Sequence, residues 1–183
     1  IRGQATREGG GVELEAGGHV TPLARDTLKA RRVTVVATGA TDPELPADLV
    51  PVADVRRVVI GSDHSGVALK RALVLHLRGR GLAVLDVGTD GTDPVDYPDI
   101  AAAVGQAVTR KEADAGIVID GAGIGSAIAA NKIRGIRAAM CLDETTARYS
   151  REHNGANVLA LGASLLPGAE AAVQIVDRWL GTP

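Results

Sequence analysis

Gly116-Ile117-Val118-Ile119-Asp120-Gly121-Ala122-Gly123-Ile124-Gly125-Ser126-Ala127-Ile128-Ala129-Ala130-Asn131-Lys132 is the stretch on which the fold turns. An apolar run ends in a carboxylate, passes through a three-glycine turn and enters an alanine-rich segment. The pattern is a buried strand feeding a short helix. The same alternation extends to both sides. Strands are expected at 58–61, 83–87, 115–119, 137–141 and 158–161, and helices at 66–80, 97–109, 124–132, 144–154 and 169–180. Leu69, Leu73 and Leu77 recur at helical spacing in the first of these helices. Five short apolar strands separated by helices predict a doubly wound α/β domain with a five-stranded parallel sheet.

Composition agrees with that class. The chain of 183 residues has no Phe, one Trp and two Tyr, so its core must be built from Val, Ile, Leu and Ala, as in a parallel sheet covered on both faces. A formal net charge of -2 offers no broad basic field, and neither nucleic acid nor a membrane surface is expected as partner. Cys141, the single cysteine, excludes an internal disulfide framework and a cysteine-based zinc site, and it fits a reducing cytoplasm. No apolar run approaches the roughly 18 residues of a membrane helix. The histidines show no metal-ligand spacing, so no metal and no cofactor is expected.

The first 55 residues differ from the rest and are read as an N-terminal extension and linker, with 56–183 as the main domain. Residues 1–11 are polar and Gly-rich, as in a disordered segment. A short strand is expected at 12–15, a helix from Thr21-Pro22 to about 31, a strand at 33–37, and a linker carrying Pro43, Pro46 and Pro51.

In a doubly wound sheet the ligand crevice lies beyond the carboxyl ends of the strands. Asp63-His64 follows the first strand of the main domain and Asp120 to Gly125 the third, so both fall on that edge. Asp120 is a candidate base beside a run of backbone N–H groups able to stabilise an oxyanion. It is equally a helix cap on residue type alone. Asp63 or Ser65 can cap the helix that follows, while His64 can hydrogen-bond an anion there. His153 and Asn154 end a helix, as acid/base and hydrogen-bond donor or as a C-terminal dipole partner and cap. Tyr97, in Asp96-Tyr97-Pro98, either meets a polar ligand or packs.

Taken together these pieces resemble one family, the type B ribose-5-phosphate isomerases and their galactose-6-phosphate isomerase relatives. The resemblance rests on Gly61-Ser62-Asp63-His64-Ser65-Gly66, Asp96-Tyr97-Pro98, the loop 121–125 with Ala129-Ala130-Asn131-Lys132, Gly135-Ile136-Arg137-Ala138, Arg151-Glu152-His153-Asn154, Asn157-Val158-Leu159 and the ending Ile175-Val176-Asp177-Arg178-Trp179-Leu180-Gly181. It implies a flavodoxin-like sheet and a homodimer, or dimer of dimers, whose active sites combine residues of two copies. It implies metal-free aldose–ketose isomerisation of a sugar phosphate, with ribose 5-phosphate the first expectation. By position, Asp120 stands as the base, His153 assists ring opening and Asn154 binds the enediolate or a hydroxyl. Asp63 and Tyr97 hold sugar hydroxyls and His64 meets phosphate. The loop positions Gly121, Ala122, Gly123, Ile124 and Gly125 supply oxyanion donors, and Asn131 and Arg151 join the substrate contacts.

The chain departs from the family pattern at several points. Many members carry a cysteine where this chain has Asp120, and others a glutamate where it has Ser126. Ala122 replaces a common threonine, Ser164 replaces an arginine, and the arginine-bearing tail of the family lies beyond Pro183. Arg134, Arg148 and Arg151 are the candidate substitutes for phosphate binding. These losses also fit a non-catalytic partner subunit of a two-component isomerase. In the extension, Gly-Gly-His-Val-Thr-Pro-Leu-Ala-Arg-Asp (17–26) is similar to segments of enzymes linked to bacterial microcompartments.

Overall fold

The structure, a computed structural model, describes residues 11–14, 22–37 and 54–183. The chain divides into two compact units, Ile1–Ala47 and Asp48–Pro183. In the first, β1 (Gly11–Leu14) and β2 (Thr34–Ala37) pair in parallel, with α1 (Pro22–Ala30) between them in sequence. The expected disordered start and proline-bearing linker lie outside the described residues, apart from 54 and 55.

The second unit alternates strands and helices from its first strand to its last helix. Its order is β3 (Arg57–Ser62), a 3-10 turn (His64–Gly66), α2 (Val67–Gly79), β4 (Ala83–Gly88), α3 (Tyr97–Thr109), β5 (Ala115–Asp120), α4 (Ile124–Ala130), β6 (Ala138–Met140), α5 (Glu144–Glu152), β7 (Val158–Gly162) and α6 (Ala169–Leu180). All five strands are parallel, in the spatial order β4-β3-β5-β7-β6. The sheet is thus of the flavodoxin-like, doubly wound kind expected, with the last two strands exchanged relative to the flavodoxin order. The exchange seats β7 beside β5 and sends the short β6 to the edge.

Side-chain alternation explains the layering. Ile60, Ile117, Ile119, Leu159 and Leu161 face one way and pack with Leu73, Leu77, Ile175, Val176 and Trp179 of α2 and α6. Val59, Val118, Val158 and Ala160 face the other way, against Val104 and Val108 of α3 and Ala127 and Ala130 of α4. Asp120 has the parity of Val118, so its side chain leaves the sheet on the α3/α4 side, where α4 begins.

The amino edge of the sheet is fixed by a charge. Asp114 Oδ2 accepts from the backbone N–H of Arg56 (3.0 Å) and Arg57 (2.8 Å), while Oδ1 accepts from the Arg57 guanidinium at 2.7 Å and 3.2 Å. Burial pushes this carboxyl up, but the Arg57 hydrogen bond, the two backbone N–H groups and the Arg57 charge outweigh it, and its pKa is lowered overall. An acid with a depressed folded pKa adds stability above its unfolded value, about 3.9, and loses it as the pH falls through the folded value. Thermal melts should therefore fall below about pH 4, and Asp114→Asn should melt lower at pH 7 with a flatter profile in that acid range. Superimposable profiles would remove Asp114 from this role.

Candidate active site

The loops at the carboxyl ends of β3, β4, β5 and β7 converge. The Asp63 N–H donates to the Ile119 carbonyl (3.1 Å), which sets the β3 loop against the end of β5. The N–H groups of Ala163 and Ser164 donate to the carbonyls of Asp120 (2.8 Å) and Gly121 (2.9 Å), which closes the β7 loop onto the β5 loop. A Cβ on Gly121 would meet the hydroxyls of Ser65 and Ser164 at 3.7 and 3.9 Å. A Cβ on Gly125 would meet the Tyr97 ring at 2.7 Å. Tyr97 therefore rests on the glycine loop with its ring partly open to solvent. It owes that seat to Pro98 and the helix start at Asp96.

Asp120 is 5% exposed, and its carboxylate is held by the loop it precedes. Oδ1 accepts from Ala122 N (2.8 Å) and from Gly123 N; Oδ2 accepts from Ser126 N (2.9 Å). A carboxylate offers about four lone-pair positions, so one remains, on Oδ2. The three N–H groups orient the carboxylate, as a positioned base needs, and at the same time cap the start of α4. The sequence expectation that the whole loop serves a ligand oxygen needs correction here. The N–H groups of Ala122, Gly123 and Ser126 are given to Asp120. Those of Ile124 and Gly125 lie in the first helical turn, have no partner within the helix, and do not reach Asp120. The glycines also differ in purpose. Gly123 alone has a positive φ, of 76°, whereas Gly125 makes room for Tyr97.

Asp63 is 6% exposed and caps the 3-10 turn. Its Oδ1 accepts from Ser65 N (2.9 Å), Ser65 Oγ (2.6 Å) and Gly66 N (3.2 Å). Its Oδ2 has no hydrogen bond among the described residues. His64 Nδ1 accepts from Val95 N at 3.3 Å, which puts the ring proton on Nε2 and makes that atom a donor. The Val95 contact had no signal in the sequence, because a backbone N–H carries no side-chain identity. A cleft of about 250 Å³ opens beside Ser65 and Ala163, between the starts of α2 and α6. Its lining, which includes Leu69 and Leu166, holds no charged group.

The remaining expected residues stand at the other edge of the sheet. His153 ends α5, donates its N–H to Tyr149 O (3.0 Å), and lies 5.2 Å from the Tyr149 ring. The chain then turns through Asn154 into Val158, the first residue of β7. Asp120 pairs with Gly162, the last residue of β7. Four strand steps of about 3.3 Å therefore put roughly 13 Å of sheet between the two levels. Asn131 also lies at the amino edge, and its amide is spent on Ala127 O, Ala138 O and Ala138 N at 2.8–2.9 Å. Arg151, expected to meet substrate, is 4% exposed instead. It donates to Thr182 O (3.0 Å) and Ala156 O (2.8 Å) and lies over the Trp179 ring. Burial, followed by the nearby Arg137 charge, lowers its pKa.

A held carboxylate beside first-turn N–H groups thus shares one sheet edge with Tyr97, Asp63 and His64. Residues 58–183 match the family model described as Ribose/Galactose Isomerase. The chain is 47% identical over 126 residues to ribose-5-phosphate isomerase B of Escherichia coli (strain K12), covering 69% of this chain and 84% of that protein. It is 40% identical over 125 residues to D-erythrulose-4-phosphate isomerase of Pectobacterium atrosepticum, covering 67% and 81%. A solved structure of Clostridium thermocellum ribose-5-phosphate isomerase B matches with a TM-score of 0.68 at 52% identity, over 69% of this chain and 84% of that one. The chain belongs to the ribose/galactose isomerase family, and its reaction class is isomerisation of a sugar phosphate.

The carboxylate cradle can be tested without substrate. Asp120→Asn sets an amide N–H against a buried backbone N–H or gives up one acceptor, so at least one donor loses its partner. An unmet buried donor costs about 1–3 kcal/mol. Asp120→Asn should melt at a lower temperature than wild type at pH 7. An unchanged melting temperature would mean that the cradle contributes nothing to the fold.

Proposed function

We propose that the chain interconverts ribose 5-phosphate and ribulose 5-phosphate through an enediolate, with Asp120 as the proton-transfer base. The observation that carries this reading is the Asp120 cradle. One Oδ2 lone pair is left free beside the first-turn N–H groups of Ile124 and Gly125. Asp120 takes the proton from carbon 2 of the open-chain aldose. The electron pair enters the C1–C2 bond and negative charge collects on O1, which those N–H groups stabilise. The O2 proton passes to O1, and Asp120 returns its proton to carbon 1. A positioned carboxylate can act as the base for enolisation, as an Asp does in ketosteroid isomerase. Asp63 Oδ2 and the Tyr97 hydroxyl hold the sugar, and His64 Nε2–H meets the phosphate.

His153 and Asn154 enter from a second copy of the chain. The separation of the two sheet edges supports this, and so does charge. Near the Asp120 loop Lys70 is buried in ion pairs with Asp86 and Asp90, so His64 is the nearest available partner for phosphate. The amino edge carries Lys132, Arg134, Arg137 and Arg148. Arg148 pairs with Glu152 and Arg151 is buried, whereas Arg134 is exposed and takes part in no ion pair among the described residues. Arg134 of the second copy is therefore assigned to the phosphate. This makes the protein a homodimer, or a dimer of dimers, with shared sites. Residence in the cytoplasm or in a bacterial microcompartment rests on the sequence of the extension and on the single cysteine, Cys141, of the main domain.

Purified protein should convert ribose 5-phosphate to ribulose 5-phosphate without added metal, followed by ketose absorbance. Asp120→Asn should lower kcat by about 10²- to 10⁴-fold, the usual share of a general base. No turnover of ribose 5-phosphate, or undiminished turnover by Asp120→Asn, would sink the respective assignment. Sugar-phosphate binding by calorimetry with no turnover of any pentose or tetrose phosphate would favour the partner-subunit reading instead.

The shared site gives a second expectation. Asp120→Asn and His153→Ala, each weak alone, should regain about a quarter of wild-type activity when co-expressed. Half of randomly assembled dimers are then mixed, and one of the two sites in each is intact. No recovery would mean that Asp120 and His153 do not work across two copies.

A further inference from the structure

We infer that Arg137 is a positioning residue that holds the His153–Asn154 turn in its working geometry; the inference rests on the shared-site reading above. Arg137 immediately precedes β6, and its guanidinium Nε donates to the Gly155 carbonyl at 2.7 Å. Its backbone joins the same turn. Arg137 N donates to Asn157 Oδ1 (2.8 Å), Asn157 N donates back to Arg137 O (3.1 Å), and Asn157 Nδ2 reaches Gly135 O (2.8 Å). The turn therefore has one polar side that is not its own, and Arg137 supplies the side-chain cation that meets Gly155 O.

The turn needs that support because of how α5 ends. Gly155 has a φ of 55°, its N–H returns to Arg151 O (2.9 Å), and Ala156 N returns to Ser150 O (2.9 Å). The Gly155 bond is an αL-type helix closure, and together the two bonds satisfy the carbonyls of Arg151 and Ser150. It also turns the carbonyls of Gly155 and Ala156 away from the helix, and neither has an intrahelical donor. Arg151 meets Ala156 O and Arg137 meets Gly155 O. Two guanidiniums thus clamp consecutive carbonyls directly behind His153 and Asn154, whose own side chains stay exposed. Arg151 is buried against Trp179 and Thr182, so its loss threatens the fold. Arg137 is half-buried, and its loss frees one carbonyl at the surface of the turn. A misplacement of about 1 Å in a catalytic group can cost on the order of 10²-fold in rate.

The experiment uses Arg137→Met, which keeps the length of the stem and removes the donors. Its melting curve and dimer mass should stay close to wild type, while kcat falls by about 10- to 100-fold. Co-expression then sorts the defect. Arg137→Met paired with Asp120→Asn should recover about a quarter of wild-type activity, because one site of the mixed dimer keeps Asp120 from one copy and an intact turn from the other. Arg137→Met paired with His153→Ala should recover nothing beyond the Arg137→Met background, because both copies then carry a damaged turn. A general loss of folding would produce recovery with neither partner. Wild-type turnover by Arg137→Met, recovery with both partners, or recovery with neither would overturn the inference. Failure of the Asp120→Asn and His153→Ala pair is read separately; it removes the shared site, and the inference with it.

Discussion

The site depends on one carboxylate that is bonded to its own loop. Asp120 ends a fully buried strand, and the three N–H groups that follow it would be unmet without an acceptor. Hydrogen bonds to a charged acceptor contribute about 1.5–3 kcal/mol each, so the carboxylate is a principal reason why residues 121–126 hold one conformation. That conformation seats Tyr97 on Gly125 and brings Gly121 between Ser65 and Ser164. The same bonds have a chemical consequence. Sulfur is a weak acceptor, so a cysteine at this position, as in many members of the family, would leave the loop N–H groups to a ligand. An aspartate takes them for itself. Of the loop donors, Ile124 and Gly125 N–H are the ones Asp120 does not take, and the negative carboxylate partly offsets the positive end of the α4 dipole.

A parallel sheet accounts for the division of the remaining groups. Helices that start at the carboxyl edge end at the amino edge, so a residue capping the start of α4 and one ending α5 cannot meet within one copy. The expected catalytic set is thus split by the same connectivity that buries the core. The exchange of β6 and β7 in the sheet order matters as well. It places Ser164 beside Gly121, where the family pattern has an arginine, and so leaves the carboxyl edge short of positive charge.

Most of this architecture was legible in the sequence, since apolar runs and glycine punctuation locate buried strands and helix starts directly. Helices 97–109 and 169–180 were read to the residue. The strand order was not legible, because periodicity reports which residues face a core and not which strand lies next to which. At the site, residue type located Asp63, His64, Tyr97 and Asp120 on one edge. It did not separate Gly123, which needs its positive φ, from Gly125, which needs its missing Cβ. For Asn131 and Arg151, which bond backbone carbonyls here, residue type gives no warning, because a polar side chain within a family motif looks the same whether it faces a substrate or a carbonyl.

That last confusion bears on how cationic groups are counted in such a chain. Phosphate recognition favours bidentate arginine, so a sequence short of the family's arginines invites a search for replacements among those that remain. Arg151 is unsuited to the task, because it is buried and donates to the carbonyls of Ala156 and Thr182, and Arg137 is tied through its Nε to Gly155 O. Arg148 is held by Glu152 one turn away. Drawing either arginine out to an anion would cost the carbonyls it meets their partners and loosen the turn it supports. Arg134 differs only in that its surroundings make no such demand. It stands exposed in the turn before β6 and takes part in no ion pair among the described residues, two properties that appear only once the chain is folded.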